Sequence, residues 1–234
     1  MEIINQSHES VASRSKYLFY VGILFVAVLM VSNTTAGKLI EVGPFIVSAA
    51  IVIFPISYIF GDILTEVYGY KASRKVVWSG FAALILMSFF YWIILALPGA
   101  SFWQNQAAYE AVLGAVPRIT AASMIAYFCG EFVNSYVLSR MKVWMEGKRL
   151  WMRTIGSTIV GEGVDSVVFF TIAFVGTMPF AALTTIILSS YFLKVIYEIV
   201  ATPFTYKIVA FLKRKEGIDV FDRNISYNPL VLTD

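Results

Sequence analysis

Charge is what this sequence most lacks. Asp, Glu, Lys and Arg make up 14% of its 234 residues, where a water-soluble domain carries about 25%. Most of its surface must therefore face something other than water. The single histidine, His8, stands in a polar leader, which excludes histidine-built metal sites and histidine-based triads. One cysteine, Cys129, cannot form an intramolecular disulfide and says nothing of compartment. A net charge of +3 from 18 basic and 15 acidic residues provides no basic stripe for nucleic acid. No HExxH, GxSxG, Walker A loop or tetrameric channel filter occurs, and the pairings of an intramembrane aspartyl protease are missing. No enzyme activity, cofactor or metal is expected.

Apolar residues fill the gap, at 59% of the chain and a mean hydropathy of +0.75. A membrane-spanning helix needs about 20 predominantly apolar residues. Six stretches meet that need: Tyr17–Ala36, Phe45–Tyr68, Val76–Leu97, Ile119–Leu138, Thr154–Val175 and Ala181–Leu212. Runs such as Phe81–Leu97 do not alternate, which excludes porin-type strands. The predicted fold is an all-α integral membrane bundle of six helices, with a leader at 1–16, a membrane domain at 17–212 and a tail at 213–234. Pro203 predicts a kink, or the end of the lipid-buried part, in the last helix. No internal repeat is convincing.

Basic residues set the orientation. Arg14, Lys16, Lys71, Arg74, Lys75, Arg140, Lys142, Lys148, Arg149, Arg153, Lys207, Lys213, Arg214 and Lys215 all fall on one side of the six spans. The opposite loops hold only Lys38, with Arg118 at the mouth of the fourth helix. Both termini are thus expected in the cytoplasm, with the first apolar run read as a retained helix rather than a cleaved signal. The longest outer connection, 98–117, carries Phe102, Trp103 and Tyr109. It reads as an aromatic interfacial anchor, with a lid as the alternative.

Ionisable residues inside the spans are the informative feature, because each costs about 2.5–3.5 kcal/mol at the bilayer centre on insertion scales. The chain places Asp62 and Glu66 in the second span, Glu131 and Asn134 in the fourth, Glu162 and Asp165 in the fifth, and Lys194 and Glu198 in the sixth. Each pair is three or four residues apart and shares a helix face. Turned inward, the four faces surround one polar cavity. At 1.5 Å per residue, Glu162 and Asp165 lie about 12–17 Å from the basic side, near mid-depth. Lys194 and Glu198 have the spacing of an internal ion pair, and Glu66 can be read as interfacial. Glu131, Glu162 and Asp165 have no neutralising neighbour in sequence. The class left standing is a small-molecule transporter with a midplane site, against rival readings as a structural scaffold or an intramembrane enzyme.

The stretch Phe54-Pro55-Ile56-Ser57-Tyr58, followed by Gly61-Asp62-Ile63-Leu64-Thr65-Glu66-Val67-Tyr68-Gly69, resembles the signature of the queuosine precursor transporter family, earlier described as vitamin-uptake transporters. Pro117-Arg118-Ile119, Ala126-Tyr127 with Gly130-Glu131, Arg153 to Thr158 with Gly163-Val164-Asp165, and Tyr191, Lys194-Val195, Glu198 and Thr202-Pro203 are similar to it too. The likeness runs from about Ser32 to Tyr206. It implies six helices with a topology like that of energy-coupling-factor substrate-binding subunits, in a bacterial inner membrane. It also implies import of 7-cyano- or 7-aminomethyl-7-deazaguanine, precursors of a modified tRNA nucleoside. Asn33, Tyr127, Glu131, Asn134, Glu162 and Asp165 are then the expected substrate contacts. Carboxylates accept the N–H donors of a guanine-like edge, and Asn33 and Asn134 serve the rest of the ring. Tyr58, Tyr127 and Phe132 are candidates for stacking. Asp62, Glu66, Arg118, Lys194 and Glu198 are the expected charge network, with Asp62 the candidate if protons drive transport. A homodimer and an ATP-driven partner complex both stay open at the level of sequence.

Overall fold

A computed structural model describes residues 15–223 and 225–231. His8, Arg14 and nearly all of the expected leader lie outside the described residues. Among the described residues seven α-helices follow in order: α1 (Leu18–Thr35), α2 (Phe54–Tyr68), α3 (Tyr70–Ala96), α4 (Gln106–Leu113), α5 (Val116–Trp144), α6 (Leu150–Phe174) and α7 (Phe180–Glu216). Between α1 and α2 stand two short strands, β1 (Leu39–Val42) and β2 (Phe45–Ser48), and one 3-10 turn, Ala49–Val52. Among the described residues five helical stretches are long and apolar enough to cross a membrane: α1, α3, α4 with α5, α6 and α7. Their outer faces expose large apolar side chains such as Phe19, Phe89, Trp92, Val167 and Phe192, while Asp62, Glu131, Glu162 and Asp165 are buried. That inverts the arrangement of a soluble protein, as a hydrocarbon surround requires.

The expected span Phe45–Tyr68 is corrected by the structure. Its first residues pair antiparallel with β1, Val42 opposite Phe45 and Leu39 opposite Ser48. Gly43, at φ +58°, makes the tight reversal that glycine permits. Ser48 then ends the strand, because its hydroxyl donates to Ala36 O at 2.8 Å and accepts from Ala50 N at 3.2 Å. Pro55 sits in the first turn of α2, where its missing N–H costs nothing. The helix that remains has 15 residues, a rise of about 22 Å against a hydrocarbon core of about 30 Å. It is the central element, buried along nearly its whole length.

Two further bounds differ from expectation. Lys71, Arg74 and Lys75, expected in a loop, stand on the first turns of α3, which begins one residue after α2 ends. Gly69 makes that break at φ +84°. The last helix runs on through Pro203 to Glu216, past its expected end at Leu212.

Helices α5 and α6 form the most extensive pair in the bundle. A Cβ on Gly130 would stand 2.8 Å from Gly161 O, and one on Gly161 would stand 2.8 Å from Gly130 O. The two backbones therefore touch at these glycines, the close approach that small residues allow between membrane helices. On the other side of α5, a Cβ on Gly61 of α2 would overlap the Glu131 carboxylate. An aromatic core of Phe25, Tyr58, Tyr70, Phe81, Tyr127 and Phe132 fills the space between α1, α2, α3 and α5.

Gly130→Val should lower the melting temperature of the detergent-purified protein, at an overpacking cost of about 1–3 kcal/mol or more. Gly156→Ala is the control: its Cβ would meet only the flexible Met141 side chain, at 3.4 Å. It should melt at or above the wild-type temperature, since alanine also favours the helix.

Candidate functional site

Helix α5 carries one buried polar face along its length: Thr120, Ser123, Tyr127, Glu131, Asn134, Ser135, Ser139 and Lys142. Steps of three and four residues keep these side chains on a single stripe. Helix α7 repeats the pattern with Ser190, Lys194, Glu198, Thr202 and Thr205, and α6 with Ser157, Thr158, Glu162, Asp165 and Ser166. Facing α2, the three stripes form a column of polar groups through the bundle, arranged in layers.

The layer farthest from the basic end centres on Lys194. Its Nζ lies 2.8 Å from Glu162 Oε2 and 2.7 Å from Asp165 Oδ2, and 4.6 Å from the centre of the Phe54 ring. Lys194 does not pair with Glu198, the partner its spacing suggested. Two carboxylates on the neighbouring helix hold the ammonium from closer quarters. A cavity of about 30 Å³ opens here, lined by Asn33, Phe54, Ser123, Asp165, Ser190 and Lys194 among others. That is room for about one or two water molecules, so Phe54 or Lys194 must move before a fused-ring ligand can enter.

Glu131 lies beside this layer, since a Cβ on its neighbour Gly130 would stand 2.7 Å from Asp165 Cβ, and its Oε1 accepts from Ser135 Oγ at 2.9 Å. The Tyr127 hydroxyl lies beside it. Next come Asp62 and Asn134, joined by a 2.8 Å bond from Asn134 Nδ2 to Asp62 Oδ1, with Glu198 beside them. Thr65 and Ser135 share a hydrogen bond of 3.0 Å below that. Buried oxygens on Asn33, Asp62, Glu131, Asn134, Asp165 and Glu198 have no hydrogen-bond partner among the described residues. An unsatisfied buried polar group costs about 1–3 kcal/mol, so six around one column mark a place built for something besides packing.

Glu66 belongs to a separate cluster at the basic end, and it is not interfacial. Arg153 forks onto its carboxylate, Lys213 lies at 2.6 Å and Lys142 at 3.7 Å. Lys142 also donates to Glu66 O at 2.7 Å, to Asp219 Oδ1 at 2.6 Å and to Val220 O at 2.6 Å. Burial alone would raise the Asp219 carboxyl, but Lys142 and Lys213 hold it below its usual range. Its hold on the two lysines is therefore complete above the ordinary carboxylate pKa, and fades only as pH falls through the lowered value. Arg118 joins neither cluster. Its guanidinium donates to the Ile172 and Val175 carbonyls at 3.2 and 3.0 Å, at the C-terminal end of α6.

Of the expected substrate contacts, Asn33 and Asp165 line the cavity and Glu162 reaches it through Lys194. Glu131 and Asn134 lie outside the cavity lining. Tyr127 and Tyr58 are locked edge-on into the aromatic core, 5.4 Å apart between ring centres, and Phe132 packs on Phe128 at 5.0 Å. Phe54, Phe169 and Phe170 are aromatic rings on the cavity wall, and none of them stood among the expected contacts, although Phe54 opens the family motif. Ser190, four residues before Lys194, was legible by helical spacing. Arg153 and Lys142 were counted only as loop charges, since nothing in their spacing points to Glu66.

A family model described as putative vitamin uptake transporter matches residues 48–208. A probable queuosine precursor transporter of Bacillus subtilis (strain 168) is 29% identical over 81% of this chain and 86% of its own length. The queuosine precursor transporter of Escherichia coli (strain K12) is 26% identical over 70% of this chain and 72% of its own. No solved structure matches the chain.

Lys194→Met leaves Glu162 and Asp165 buried without a cation. It should destabilise the purified protein by about 3–5 kcal/mol, read as an earlier thermal transition. The triple change Lys194→Met, Glu162→Gln, Asp165→Asn should recover most of that loss.

Proposed function

Because the chain belongs to the putative vitamin uptake transporter family, we propose that it imports queuosine precursors, 7-cyano- or 7-aminomethyl-7-deazaguanine, across the bacterial inner membrane. The observation that carries this reading is the Asp165–Lys194 pair on the cavity wall, with Asn33 facing the same space. A guanine-like edge presents two N–H donors beside a carbonyl acceptor. A carboxylate accepts the two donors, and an ammonium 2.7 Å away donates to the carbonyl. The unpartnered Asn33 oxygen takes a further N–H, and Phe54 supplies a face for the ring. Adenine reverses the order of donor and acceptor on this edge and fits the pair poorly.

Glu162, Glu131, Asn134 and Tyr127 act once the cavity widens. Alternating access then consists of a partner exchange. Lys194 leaves Glu162 and Asp165 for Glu198, one turn along α7, while Asp62 and Asn134 separate or protonate. In the same reading α2 with its hairpin counts as the second of six passages, and both termini lie in the cytoplasm on the side of the basic loops. The topology is then that of an energy-coupling-factor substrate-binding subunit. The rival arrangement, a capture subunit working with an ATP-driven complex, requires copurifying ATPase subunits and no uptake by the chain reconstituted alone.

Thermal stability of the purified protein against both 7-deazaguanines, guanine, adenine, riboflavin and biotin tests the substrate class. A ligand at about 100 times its Kd stabilises the folded state by about 2.7 kcal/mol. Both or one of the deazaguanines should raise the melting temperature, and Asp165→Asn and Asn33→Ala should abolish that rise. A shift with riboflavin or biotin alone would overturn the substrate. No shift with any compound would overturn the site.

A further inference from the structure

The segment after α7 is short and polar in sequence, with nothing to suggest a role, yet it turns back under the bundle. Gly217, at φ +66°, ends α7, and Ile218 enters the apolar cluster of Leu64, Val67 and Leu212. Val220 N donates to Val67 O at 3.3 Å. Asp222 is buried and accepts from the Tyr70 backbone N–H at 3.0 Å, which caps α3, and from Ser139 Oγ at 2.7 Å. Beyond it, Arg74 donates to Asn228 O at 2.6 Å, and Trp78 Nε1 to Pro229 O at 2.8 Å. The Tyr227 hydroxyl shares a bond of 2.9 Å with Ser139.

These contacts fall at the basic end of the polar column. Ser139 stands one helical turn from Ser135 and two from Glu131, about 6 and 12 Å along α5. The tail touches α2 at Val67, α3 at Tyr70, α5 at Ser139 and Lys142, and α7 through Lys213 and Asp219. One segment thus bridges three of the four helices that form the column, α2, α5 and α7, together with α3 beside them. Gly69 shows how closely it is seated: a Cβ there would lie 2.7 Å from Val220 and 2.8 Å from Asp222.

We infer that residues 217–223 and 225–231 form the inner gate of this transporter: the strap seals the column in the present conformation and must lift from Val67, Tyr70 and Ser139 for substrate to leave. This rests on the transporter reading, but not on which substrate is carried. The strap is held by separate contacts, a helix cap, hydroxyl bonds, ion pairs from Lys142 and Lys213 to the part-exposed Asp219 and backbone bonds, so it can open without unfolding α2 or α5.

The test places one reporter thiol under the strap, Thr65→Cys in a Cys129→Ser background, in protein embedded in nanodiscs so that a membrane-impermeant maleimide reaches both faces. With the wild-type tail the thiol should label slowly. Asp222→Ala with Tyr227→Ala should speed labelling by about tenfold or more, as loss of one cap and two hydroxyl bonds to Ser139 shifts a local opening. Labelling at the wild-type rate in that variant would overturn the inference. Because the double variant could fail to fold, a second protein carries the opposite change. Val67→Cys with Val220→Cys, oxidised to a disulfide, should keep its thermal shift with a 7-deazaguanine yet lose uptake until reduced. Uptake at an unchanged rate in the oxidised form would equally overturn the gate. Fast labelling in the released variant with no deazaguanine shift in any form would sink the substrate assignment and leave the gate standing.

Discussion

Gly130 and Gly161 let α5 and α6 meet backbone to backbone, Gly61 of α2 makes room for the Glu131 side chain, and the polar interior is arranged around these contacts. A carboxylate taken into hydrocarbon must be shielded by protein atoms, because lipid offers neither water nor hydrogen bonds. The Glu131 side chain is shielded by lying on Gly61, where any Cβ would displace it. Asp165 is carried next to Gly130, close enough that a side chain there would strike its Cβ. With larger residues at these three points the helices stand apart, and the column becomes a set of unshielded charges facing lipid.

Charge balance inside the column follows from the same shielding. Asp62, Glu131, Glu162, Asp165 and Glu198 share one ammonium, Lys194, and it pairs with only two of them. At the basic end the balance reverses, since Lys142, Arg153 and Lys213 converge on Glu66 and Asp219. The acidic layer has unpartnered acceptors to offer a donor-rich ligand, and the basic layer has nearly all its groups engaged. The first suits capture and release. The second, through Glu66, suits a fixed anchor that holds α2, α5, α6 and α7 together while the rest rearranges.

The membrane class, the five long helices and the inward carboxylates were legible in sequence because each rests on a local property, namely apolar length or spacing on one helix face. The run at Phe45–Tyr68 misled for the same reason. Hydropathy registers it as one span and cannot see that Ser48 finds Ala36 O twelve residues earlier, or that Gly43 folds β2 back on β1. Lys194 and Glu198 show the limit of spacing: helical geometry permits their contact, but a neighbouring helix offered two carboxylates nearer at hand. The clustering of Lys142, Arg153 and Lys213 on Glu66, and the path of the tail, depend on contacts between residues 76 to 152 positions apart. No local pattern encodes them.

Much of the strap is gripped through its main chain. Arg74, Trp78, Tyr70 and Lys142 take the carbonyls of Asn228, Pro229, Tyr227 and Val220. A carbonyl is the same whichever side chain its residue bears. Substitutions at residues held only through these carbonyls can therefore accumulate over evolution without loosening the strap, whereas Ile218, Asp219, Asp222 and Tyr227 are held by their side chains. The match to the family ends at residue 208, before the strap begins. A segment anchored in this way can diverge between relatives beyond recognition and still trace the same course under the helices.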